Sequence, residues 1–139
     1  MRRLLLLAVA GALALSSTVA KAEANDGDRI LGEYKAVKDG AVTKVRISKI
    51  GENRYKAQVI GFENESNEAI DRAVSAKHIV LIESVSYNSK EGVWDNGTIY
   101  DPTKDEIYRV VLDFESDTTL RVRGYLGPFY RRIYWEKIN

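Results

Sequence analysis

Cysteine is absent from the 139-residue chain, proline occurs twice, and histidine and methionine occur once each. Without cysteine there can be no disulfide, no thiol nucleophile, no thiolate metal ligand and no lipid-bearing cysteine. Stability must come from a packed core. The lone histidine, His78, stands in no motif, so a serine nucleophile would lack its usual base. A zinc site would need carboxylates plus that one imidazole, an uncommon donor set. The sequence therefore predicts a protein that is not an enzyme, with no catalytic, metal or cofactor residues.

Long apolar runs are missing too, except at the start. Arg2 and Arg3 precede an apolar stretch from Leu4 to Leu15, and Ala20-Lys21-Ala22 follows as a small-x-small cleavage site. This is the pattern of an export signal. The run is too short to span a bilayer, which takes about 20 residues. We therefore expect residues 1–22 to be a signal peptide, with Ala22-Glu23-Ala24 as a second cleavage site. Residues 23–139 would form one soluble domain, periplasmic or secreted and not membrane-spanning.

Cleavage removes 22 of 139 residues and three of 21 basic ones but none of the 20 acids, so the formal charge turns from +1 to −2. A mildly acidic chain has no general attraction for nucleic acid, and none is expected as a partner. Charge is unevenly spread. Residues 108–139 hold six basic side chains against four acidic ones, among them Arg109, Arg121, Arg123, Arg131 and Arg132.

Glycines and short polar clusters cut the chain into runs rich in Val, Ile, Tyr and Thr that alternate apolar and polar residues. Strands are predicted at Ile30–Val37, Thr43–Ile50, Arg54–Phe62, His78–Tyr87, Val93–Tyr100, Ile107–Phe114, Thr119–Leu126 and Phe129–Ile138. One buried and one wetted face per strand marks an antiparallel sheet. Asn64 to Ala76 has apolar residues at helical spacing and reads as a short helix or irregular crossing segment. The fold class is all-β, an antiparallel barrel of about eight strands, since closure removes exposed edges. A two-sheet sandwich is the alternative.

Arg123-Gly124-Tyr125 and Arg132-Ile133-Tyr134 both read Arg-x-Tyr, and residues two apart share a strand face. Such a pair can hold an anionic head group. If Leu120, Val122, Ile133 and Trp135 point inward, both pairs point outward, where stacking and cross-strand pairing with Glu or Asp is the ordinary explanation. Gly97 and Gly124 interrupt strands and mark bends or close contacts, and Gly124 could leave room for a ligand. Asp101-Pro102 suits a type I turn.

The run Trp94-x-x-Gly97-x-Ile99-Tyr100-Asp101-Pro102, then Tyr108, then Leu120-x-Val122-Arg123-Gly124-Tyr125-x-Gly127, with Trp135 near the end, resembles the secreted bacterial domain-of-unknown-function 2147 family. That resemblance implies a lipocalin-like barrel in the periplasm or outside the cell. The first half departs from the family pattern, with Gly32-Glu33-Tyr34 where Gly-x-Trp is expected. Arg123, Tyr125, Arg132 and Tyr134, with Tyr100 and Trp94 of the motif, are the candidate ligand-binding residues. The expected function is an exported barrel that binds a small apolar or amphipathic, lipid-like ligand. The alternative is a solid-core protein that meets an envelope component through the Arg/Tyr surface of its last strands.

Overall fold

Alternation of apolar and polar residues places one face of each strand inside, and short turns between strands force neighbours in sequence to pair. The computed structural model describes residues 26–38, 40–63 and 79–139. The expected signal peptide, the crossing segment Asn64 to Ala76 and His78 lie outside the described residues.

Eight strands follow a 3-10 helix at Asp26–Ile30: β1 (Gly32–Lys38), β2 (Ala41–Gly51), β3 (Arg54–Glu63), β4 (Val80–Asn88), β5 (Val93–Asp101), β6 (Glu106–Phe114), β7 (Thr119–Leu126) and β8 (Phe129–Lys137). They pair in chain order and close into an antiparallel barrel, not a sandwich. The first predicted strand began at Ile30. That residue instead ends the 3-10 helix, and its side chain is buried.

The ring is closed by β1 and β8, whose register runs Tyr34↔Lys137, Lys35↔Glu136 and Ala36↔Trp135. Backbone bonds from Glu33 N to the Asn139 carbonyl (2.9 Å) and from Ile138 N to the Glu33 carbonyl (2.8 Å) extend this seam below. Above Trp135, no described residue of β1 pairs with β8. Among the described residues the outer edge of β8 from Phe129 to Tyr134 is therefore left unpaired, and this decides how far its side chains are covered.

One end of the barrel is plugged by the 3-10 helix. The Trp94 indole N–H donates to the Gly27 carbonyl (3.1 Å), the Tyr34 hydroxyl to the Ile30 carbonyl (2.7 Å), and the Tyr55 hydroxyl to Asp28 Oδ1 (2.6 Å). Each buried ring thus satisfies its polar atom, as an apolar interior requires. Gly27 is needed for the fit, because a Cβ there would lie 2.7 Å from the Tyr87 Cβ. Above the plug, Val45, Ile47, Ile82, Val110, Leu112, Leu120, Val122 and Trp135 fill the lumen with at most 4% of their surface exposed. No charged residue is buried among those described.

Candidate functional site

Paired residues in antiparallel strands share a face, so the register says which side chains enter the lumen. Tyr100, Arg123, Tyr125, Arg132 and Tyr134 lie on the outer face. Trp94 is the only candidate that points inward. It is fully buried in the plugged half, tilted against Tyr87 at 4.7 Å and edge-on to Phe114 at 5.7 Å. The Arg29 guanidinium covers it from outside, 5.3 Å from the ring centre. Beside it, Arg29, Phe114, Asp117 and Lys137 line a pocket of about 200 Å³.

Three strands bring the outward candidates together as a grid. Its first row is Arg109, Tyr125 and Tyr130; its second is Val111, Arg123 and Arg132; its third is Asp113, Arg121 and Tyr134. Arg109 stacks on Tyr125 at 4.3 Å, and Tyr125 on Tyr130 at 5.4 Å. Asp113 accepts from Arg121 Nε (2.9 Å) and Nη2 and from Arg123 Nη2 (3.5 Å). The Arg121 hydrogen bonds hold the Asp113 carboxyl below its ordinary range, against the opposing effect of its burial. One carboxylate thus serves two arginines. Arg123 faces Arg132 directly, and like charges so placed oppose pairing. Arg123 Nε is buried and has no hydrogen-bond partner among the described residues.

Tyr100 stands apart from this grid, on β5, where its hydroxyl donates to Asp105 Oδ1 (2.9 Å). That bond, with the nearby carboxylates, raises the hydroxyl's pKa. Asp101 makes the expected turn, accepting from the backbone N–H and the hydroxyl of Thr103 at 2.9 and 2.6 Å.

The lumen itself changes character along its length. Away from the plug the inward positions are Ala36, Thr43, Phe62, Ile99, Tyr108 and Ile133, and none of them is fully buried. Ile133 pairs with buried Val122 yet is 43% exposed, and β1 does not pair with β8 beyond Ala36 and Trp135. Glycine at position 124 makes space that Tyr108 takes, since a Cβ there would lie 3.3 Å from the Tyr108 Cβ. Around the rim, Asp101, Glu106 and Arg131 share the inward face. The Tyr108 hydroxyl lies 3.4 Å from Glu106 Oε1. Desolvation raises its pKa, the Glu106 and Asp101 carboxylates add to this, and Arg131 opposes it. Among the described residues this end of the lumen has an apolar lining and a polar rim. Alternation marks these inward positions in the sequence; what it does not show is which of them lie above the packed layer.

A family model described as "Uncharacterized protein conserved in bacteria (DUF2147)" matches residues 32–137. The chain belongs to the DUF2147 family. The match runs from the first strand to the last, so the departure at Gly32-Glu33-Tyr34 does not place the first half outside it. Among solved structures, the chain is similar to one described as "Protein HP1028 from the human pathogen Helicobacter pylori belongs to the lipocalin family". The TM-score is 0.59 at 12% identity, over 78% of this chain and 82% of that one. At that identity the likeness is one of fold, and the fold of this DUF2147 chain is lipocalin-like. No curated protein matches the sequence.

Proposed function

We propose that this barrel binds a small apolar or amphipathic molecule in the unplugged half of its lumen, and that it does so after export, in the periplasm or outside the cell. The observation that carries this reading is the two-part lumen, solid with side chains next to the 3-10 helix and lined above by apolar groups that remain partly exposed. Eight-stranded barrels either fill completely or hold one small ligand, and here the inward side chains away from the plug stay partly exposed among the described residues. The lipocalin-like fold supports the same class of function by analogy. Ile99, Phe62 and Ile133 would hold the apolar part. Tyr108, Glu106 and Arg131 would meet a polar end. Export rests on Arg2-Arg3, the Leu4 to Leu15 run and the cleavage site that follows.

Native mass spectrometry of protein taken from its own compartment should show one lipid-like molecule per chain. Thr43→Trp, which fills this end of the lumen, should abolish it. A chain that carries nothing and takes up no apolar dye, with or without Thr43→Trp, would overturn the reading.

A further inference from the structure

Among the described residues, Val37, Ile50, Ile107 and Ile138 are exposed apolar side chains set apart from one another, whereas the others gather on one hairpin. Leu126 (47% exposed), Phe129 (75%), Tyr130 (55%) and Ile133 (43%) all belong to the β7–β8 hairpin, whose β8 edge is unpaired here and whose tip is Gly127-Pro128. Isolated exposed apolar residues need no explanation, but a cluster on one hairpin does. Behind the tip stand four arginines. Arg109, Arg123 and Arg132 are on the outer face and Arg131 is on the inner one. None of Arg109, Arg131 and Arg132 has an ion pair among the described residues, and Arg123 shares Asp113 with Arg121.

We propose that this hairpin docks the barrel onto an anionic lipid bilayer, with Leu126, Phe129 and Tyr130 entering the interface and the arginines meeting phosphate groups. An interfacial element needs an apolar tip that leaves water and a cationic belt at head-group height. The hairpin has both, in that order from the tip inward. A soluble polyanion would explain the arginines but leaves Phe129 and Leu126 without a role. A second copy pairing along the free edge of β8 would set its arginines against those of β8, a like-charge arrangement that protects edges from pairing. The acidic groups nearest the tip are engaged by neighbours, Asp101 by Thr103, Asp105 by Tyr100 and Glu106 by Tyr108. They lie across β6 from the hairpin, at the β5–β6 turn. The inference holds whether or not the lumen carries a ligand.

The test is co-sedimentation of the chain from Glu23, which contains the 3-10 helix and all eight strands, with vesicles. Mixed phosphatidylcholine and phosphatidylglycerol vesicles should bind it, pure phosphatidylcholine vesicles should not, and added salt should release it. Arg131→Gln and Arg132→Gln should each weaken binding about fivefold. Phe129→Ser should weaken it about tenfold or more. These positions are exposed, so melting temperatures should hold; if Phe129→Ser melts lower, Leu126→Ser gives the same readout. Failure of the parent chain to bind the mixed vesicles, equal binding to both vesicle types, or retention of full binding in the serine variant would each overturn the proposal. The last result would assign the arginines to a soluble polyanion.

Discussion

The Trp94 indole and the Gly27 carbonyl meet across the plugged end at 3.1 Å, though 67 residues separate them in the chain. This bond fixes the 3-10 helix to β5. Trp94→Phe keeps most of the ring volume but loses the hydrogen bond, and should cost about 1 to 2 kcal/mol in urea unfolding. Trp94→Ala also leaves a cavity and should cost about 3 to 5 kcal/mol. If the two variants were equally stable, the ring would not be packed as described.

Gly97 has no such partner, yet it is as constrained. A Cβ there would fall against the Ser84 carbonyl oxygen of the neighbouring strand, beside the register shift between Trp94 and Gly97. Gly97→Ala should destabilise by at least about 2 kcal/mol, because backbone cannot give way as a flexible side chain can. Gly61→Ala, with nothing within 4 Å, should change stability by no more than about 0.5 kcal/mol. Thermal melts of the two variants decide it.

Trp135 carries the seam. It pairs with Ala36 on β1 and Leu120 on β7, is 1% exposed, and lies 6.4 Å from the Tyr34 ring. Trp135→Ala should cost about 3 to 5 kcal/mol, a large share of a small domain's total, while Trp135→Phe should be much milder. A melting temperature unchanged by the alanine variant would show that the barrel does not depend on this ring to close.

Stability should fall at both extremes of pH. Asp28, hydrogen-bonded by Lys49 and then Tyr55, and Asp113, hydrogen-bonded by Arg121, both have folded pKa values below the ordinary one. Their contribution is complete above the unfolded value of about 3.9 and is lost as pH falls through the folded values. Burial pushes the Tyr34 and Tyr55 hydroxyls up, and Asp28 adds to this at Tyr55. That contribution is present below the unfolded value of about 10 and declines as pH rises beyond it. Urea midpoints measured against pH should show both limbs. Asp113→Asn should flatten the acid limb and Tyr34→Phe the alkaline one; unchanged slopes would refute these assignments.

The strands were legible because each buries one face, so Tyr108, Val110 and Leu112 announce β6 by alternation alone. Alternation also gave the correct side for Ile133, but a side is not a burial: whether a neighbouring strand covers it depends on how far β1 stays paired with β8. The outward placement of Arg123 and Arg132 followed from the same phase argument. Their direct opposition required the register. The plug left no signal, because Asp26 to Ile30 carries its function in two backbone carbonyls and one carboxylate whose partners come from β1, β3 and β5. The cation over Trp94 was hidden for the same reason.

The β1–β8 seam joins residues about a hundred positions apart, whereas most other strand pairs meet across a short turn. Contacts that close long loops repay their entropy late, so the ring should form last, from a curved open sheet whose edges are β1 and β8. During that interval both edges can recruit other chains. The arginines at positions 131 and 132 lie on one of those edges, and so guard the chain before it is folded as well as after.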